Sequence, residues 1–319
     1  MRSNKQITQN RARVCPLAFS LALLLASIAG VRAADPPAKT YPTPLAAADA
    51  LLTAGEQEGT AALLAVLGPG SKDIIDSGDE TQDHLNRQTF VAAARDKTVL
   101  MALSKTSVFL MVGDDDWPFP IPIVKGPQGW FWDAAAGKQE ILSRRIGRNE
   151  LGTIALCGAY VQAQKEYAGM NPGGAGVGVY AQRLLSSEGK KDGLFWPAKE
   201  GDPQSPMGPL AAKAAMEGYS TKPSESGPKP FHGYLFKILT AQGKDAPGGA
   251  QDYLKGGKMT GGFALAAWPA KYGDSGIMTF LVNRAGIVFE KDLGPTTDDL
   301  AKAMDTFNPD LTWKPSRVQ

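Results

Sequence analysis

The chain switches between two hydrophobic rhythms. Residues 44–97 carry apolar side chains at helical spacing, interrupted by short polar or Gly/Pro breaks. Thr43 reads as an N-cap with Pro44 at the first helical position, opening an Ala/Leu-rich helix at 45–53. A second short helix is predicted at 60–67, stopped by Gly68-Pro69-Gly70. A third is expected over about 81–97, with Leu85, Thr89, Ala92 and Ala93 on one side. The rhythm then turns β-rich at 98–103 and 107–112, and Trp130-Phe131-Trp132 ends a further extended stretch.

The helical period returns from about 138 to 167, where Leu151, Ile154, Gly158 and Val161 recur, and Gly169 with Pro172 reads as the stop. Residues 170–179 form a Gly-rich loop, and 196–230 is rich in Pro and Gly around one short helix at 210–217. The last third has strand patterns at 233–240, 261–268, 276–283 and 287–291, with Asn283-Arg284-Ala285-Gly286 as a hairpin connection. A closing helix is expected at 298–307. The fold class is therefore α+β: a helical N-terminal part with a small antiparallel sheet, then a long helix packed on a C-terminal antiparallel meander. The parts divide as an N-terminal α+β part at 44–137 and a C-terminal helix-plus-antiparallel-sheet domain at 138–319.

The N-terminus obeys neither rhythm. Basic residues run through Arg13, an apolar run covers 17–29, and Val31-Arg32-Ala33 offers small residues at the −3 and −1 positions of a cleavage site. Residues 1–33 are expected to be a signal peptide, followed by a Pro-rich flexible leader at 34–43. The apolar run is short of the ~20 residues of a spanning helix, and no later run approaches that length. The expected product is a periplasmic or otherwise exported protein with no transmembrane segment after signal cleavage. Cleavage would remove Cys15 and leave Cys157 alone, so no internal disulfide is expected.

Charge changes the picture only once this leader is set aside. The 319 residues hold 34 Lys and Arg against 32 Asp and Glu, a formal +2. Five of the basic residues and no acid lie in the first 33, which leaves 29 against 32 and a net −3 for the rest. No clustered basic face is left for nucleic acid. A hydrophobic content of 43% with 21% charged residues excludes a disordered chain.

Catalytic signatures are sparse. The two histidines, His84 and His232, fit no zinc motif, and Cys157 lies on the apolar side of the long helix, where a free Cys acts as a small hydrophobe. Gly273-Asp274-Ser275-Gly276 has the look of a serine-protease segment but lacks its companion His signature. Ser187-Glu188-Gly189-Lys190 lacks the companions of a penicillin-binding site, and Gly176-Val177-Gly178 follows a helix, not a strand. No phosphate loop is present, and no cofactor is expected. Asp114, Asp115 and Asp116 are the best metal candidates, although three adjacent acids lack the alternating spacing of a calcium loop, so a solvated turn is the simpler reading.

Three further features carry candidate binding chemistry. Glu140, Arg144 and Arg148 share a helix face, and Arg144, Arg145 and Arg148 could hold a carboxylate or phosphate on guanidinium forks. The segment Trp117-Pro118-Phe119-Pro120-Ile121-Pro122 cannot donate hydrogen bonds along one edge, so it reads as an edge strand with Trp117 and Phe119 as candidate interaction aromatics. Phe195 and Trp196, after a turn, are the other pair.

Several segments together resemble an uncharacterised bacterial family, domain of unknown function 2950. They include Asp115-Asp116-Trp117-Pro118-Phe119-Pro120, Arg144-Arg145-Ile146-Gly147-Arg148-Asn149-Glu150-Leu151, Asp192-Gly193-Leu194-Phe195-Trp196-Pro197 and His232-Gly233-Tyr234. The similarity covers nearly all of 41–315 and implies an exported protein with no assigned reaction. The second half is also similar in element order to pilin-like head domains, which implies a helix packed across an antiparallel sheet. The leading expectation is a non-enzymatic envelope accessory or interaction module with a protein partner. The alternatives are a periplasmic binding protein for a small anionic ligand, or an acid-dependent hydrolase pairing Asp116 with Asp133 or Asp192.

Overall fold

Thr43 Oγ1 accepts a hydrogen bond from the Ala46 amide (3.1 Å), and Pro44 follows it, so α1 (Pro44–Gly55) begins at the anticipated cap. The computed structural model describes residues 39–172, 174–198, 201–220 and 229–316. The expected signal peptide at 1–33 and the first half of the leader, 34–38, lie outside the described residues.

α2 (Ala61–Leu67) stops at Gly68, whose φ of 89° suits only glycine. A single turn, α3 (Lys72–Ile75), precedes α4 (Glu80–Asp96), which is capped by Asp79 Oδ1 accepting from the Gln82 amide at 3.0 Å. Strands β1 (Thr98–Ser104), β2 (Ser107–Val112), β3 (Trp117–Pro118), β4 (Ile123–Gly126) and β5 (Gly129–Trp132) follow. They form an antiparallel sheet in the order β1-β2-β4-β5, with β3 on β2. The alternating prolines explain why β3 pairs for only two residues, since Pro cannot donate to a ladder.

Asp133 then caps α5 (Ala134–Met170), accepting from the Ala136 amide at 3.1 Å. Its 37 residues give a rod about 55 Å long at 1.5 Å per residue. Gly169 does not end the helix as the sequence suggests; Asn171 does, in the left-handed conformation (φ 49°). After α6 (Gly208–Met216) come β6 (Tyr234–Leu239), β7 (Ala241–Gln242), β8 (Gln251–Asp252), β9 (Leu254–Lys255) and β10 (Lys258–Met259). Next are β11 (Ala264–Pro269), β12 (Met278–Asn283), β13 (Val288–Asp292), α7 (Thr297–Lys302), β14 (Thr306–Phe307) and β15 (Lys314–Pro315). The meander is antiparallel throughout, in the order β15-β13-β12-β11-β6, and α5 packs on β11, β12 and β13.

The closing helix is shorter than its periodicity predicts. Leu300, Met304 and Phe307 recur at helical spacing, yet α7 stops at Lys302 and Thr306-Phe307 pairs in parallel with β7. Phe307 is fully buried and meets Phe289 edge-on, so tertiary burial overrides the local pattern.

The described residues fall in one compact unit with two main hydrophobic clusters. The first joins α1 and α2 to the first sheet through Leu51, Leu67, Leu110, Ile123 and Trp132, whose indole donates to the Ala47 carbonyl at 3.0 Å. The second lies between the C-terminal half of α5 and the meander, around Tyr160, Tyr234, Phe263 and Phe280. The helix serves both: Ala134 and Ile141 pack in the first, Cys157 and Tyr160 in the second. Between them α5 buries polar residues Arg145, Asn149 and Thr153. Among the described residues no helix is long and apolar enough to cross a membrane.

Candidate functional site

N-terminal to Asn149, the stretch of α5 that carries Ile141, Arg144, Arg145 and Arg148 faces an open cavity of about 870 Å³, lined also by α1 to α4 and the first sheet. Its walls are mostly apolar, including Leu51, Leu63, Leu67, Ile74, Phe90 and Ile141. Its polar lining sets Arg87, Arg144, Arg145 and Arg148 against Asp83, Asp96, Asp114 and Asp115. Apolar walls with a few converging polar groups are the usual make-up of a small-molecule site.

The three arginines anticipated as an anion patch have three different jobs. Arg145 is only 7% exposed and is a structural tie: it donates to the Asp73 carbonyl at 2.9 Å, to the Ile74 carbonyl and to the Asp274 carboxylate. Arg144 is bound by Glu140 (2.7 Å) and lies over the Trp117 ring at 5.4 Å. Arg148 has no hydrogen bond or ion pair among the described residues. Burial, and then the like charge of Arg145, lower its pKa, although the side chain still reaches solvent. Arg148 is itself exposed, so its guanidinium is accessible to an anion at the cavity. Arg87 is engaged elsewhere, donating to the Gly59 carbonyl at 3.0 Å and lying 3.0 Å from His84 Nδ1.

On the acidic side, Asp83 accepts from the Ser77 amide at 2.8 Å, and burial raises its pKa against the pull of that bond and of Arg145. Asp114 and Asp115 are exposed, and Asp116, in the left-handed region (φ 50°), pairs with Lys97 at 2.7 Å. Among the described residues no three His, Cys, Asp or Glu side chains converge as a metal site. Asp133 caps α5, and Asp192 binds Ser187 through its amide (2.8 Å) and hydroxyl (2.9 Å). The acids suggested for hydrolysis are thus each committed to a local partner.

The candidate aromatics also separate. Trp117 is 43% exposed and Phe119 is half-buried, packed edge-on against Trp132. Trp196 is buried, with Tyr167 edge-on and Lys191 over its ring, so it presents nothing to a partner. Phe195 lines a second cavity of about 670 Å³ under α6, with Leu156, Met207, Leu210, Phe231 and Phe236. Ser275 is fully buried, its hydroxyl exchanges hydrogen bonds with the Lys271 backbone, and its carbonyl accepts from Asn149, an arrangement that does not suit a nucleophile. Burial pushes the Cys157 thiol up to about 12, so the thiolate is suppressed.

One cluster had no sequence signal. Tyr219 donates to buried Asp79 (2.8 Å), whose same oxygen accepts from the Gly233 amide (2.9 Å). His232, with φ at 50°, stacks on Tyr219 and lies 2.8 Å from Glu217 through Nε2. Some 150 residues separate Asp79 from this group, so no local spacing could have revealed it. It fastens the end of α6 to the first turn of α4.

The family model for proteins of unknown function (DUF2950) matches residues 38–316. The chain belongs to the DUF2950 family. The match spans every described helix and strand, so the arginine-lined cavity and the meander lie wholly within the DUF2950 region. No curated protein and no solved structure matches the chain.

Proposed function

We propose that this DUF2950 chain is an exported protein of the cell envelope that binds a small amphipathic anion in the α4/α5 cavity without turning it over. The observation that carries this reading is Arg148: a guanidinium without a hydrogen-bond or ion-pair partner among the described residues, beside apolar walls. A carboxylate would neutralise it through two parallel hydrogen bonds while an aliphatic or aromatic body fills the walls. The nearby Asp83, Asp96, Asp114 and Asp115 disfavour polyanions. Export rests on the basic, apolar and small-residue segments of 1–33.

Thermal shift with a panel of aliphatic and aromatic monocarboxylates tests the site. A binding member at a hundred times its Kd stabilises the chain by about 2.7 kcal/mol. Arg148→Ala should abolish the shift; an unchanged shift in that variant overturns the assignment. Fusing residues 1–40 to a reporter active only outside the cytoplasm tests export separately.

A further inference from the structure

β1 stands last in its sheet, and its outer edge has no partner strand among the described residues. Its sequence, Thr98-Val-Leu-Met-Ala-Leu-Ser104, holds no charge and no proline, and six of its seven residues are exposed. Val99 is 43% and Met101 44% exposed. They sit opposite Met111 and Phe109 of β2, both half-buried, so the open apolar row is two strands deep. Natural proteins blunt such edges with charges, prolines or bulges. Here the one irregularity falls between Ala102 and Ser104, which leaves 98–102 in regular register.

We propose that β1 is a self-association edge, pairing antiparallel with β1 of a second copy to continue the sheet across a two-fold axis. The charge distribution selects a second copy over another strand. At the start of β1, Lys97 is held by Asp116 at 2.7 Å, with Asp96 and Asp114 also acting on it and Asp115 adjacent in the same turn. At the other end Lys105 is exposed in the hairpin turn, without an acidic partner among the described residues. One end of the edge is therefore acidic and the other basic. An antiparallel two-fold brings each Lys105 beside the other copy's acidic turn, twice per dimer. With strands about 4.8 Å apart, that turn lies one strand beyond the new pair, within reach of a lysine. An isologous contact of this kind is self-complementary by construction. The acidic turn thus acquires a role beyond the place of Asp114 and Asp115 in the cavity lining.

Sedimentation of the purified full-length chain across a wide concentration range tests this. The expected result is a monomer–dimer equilibrium weakened by salt. Met101→Lys places like charges near the two-fold axis and should weaken association by about tenfold or more, with thermal unfolding unchanged because Met101 is exposed. Lys105→Glu should weaken it too, and adding Asp115→Lys should restore it. Met101→Cys should form a disulfide-linked dimer on oxidation. A monomer at every concentration overturns the proposal, as does a dimer that survives both Met101→Lys and Lys105→Glu.

Discussion

Arg145 of α5 and Asp274, in the turn before β12, form an ion pair in which the arginine side chain is 7% exposed and the aspartate 16%. The same guanidinium holds two carbonyls at the start and middle of α3, so one side chain links the N-terminal helices, α5 and the meander. Removing it would leave a largely buried carboxylate and two carbonyls without this donor. Arg145→Ala should cost about 3–5 kcal/mol, read by denaturant unfolding. A loss below 1 kcal/mol would show that the tie is dispensable.

Arg148, three residues on, should behave in the opposite way. Its charge is disfavoured by burial and by Arg145, and no hydrogen bond or ion pair among the described residues is lost with it. Arg148→Ala should leave the melting temperature unchanged or raised, while removing any anion-dependent shift. A large loss of stability would mean that the guanidinium has a structural partner in solution.

Burial raises the carboxyl pKa of Asp83 above its ordinary value of 3.8. The folded chain therefore holds that proton more tightly than the unfolded chain between the two values. This contribution weakens the fold as pH rises through that window and is fully unfavourable above it. Asp83→Asn keeps an acceptor for the Ser77 amide and removes the effect. Its stability relative to the native chain should improve from pH 4 toward pH 7, as followed by urea unfolding. A pH-independent difference would refute the burial argument.

Gly137, in the first turns of α5, lies against the proline segment. A Cβ there would meet the Ile121 backbone at 2.7 Å and the Pro120 carbonyl at 2.8 Å. Gly→Ala within a helix normally gains up to about 1 kcal/mol. Here overpacking should reverse the sign, and Gly137→Ala should lose about 1–3 kcal/mol in chemical denaturation.

Much of the α+β fold was legible in the chain because its signals are local. Thr43-Pro44, the β-rich runs at 98–103 and 107–112, and the strand patterns of the last third each correspond to an observed element. Local signals misled where they competed with burial. Gly169 did not break a helix that Asn171 could cap, and Phe307 left its helical pattern for the core.

The candidate site divides along the same line. The sequence by itself determined that three arginines lie within five positions of one long helix, beside a proline-aromatic segment. It could not say which of them was available. Successive residues on a helix point about 100° apart. Each arginine's fate therefore depends on what the fold puts in that direction: Glu140 and Trp117 for Arg144, and α3 and Asp274 for Arg145. Asp274 lies 129 residues from Arg145 along the chain. Only the tertiary structure closes that distance, satisfying one buried charge and leaving Arg148 at the cavity without a partner among the described residues.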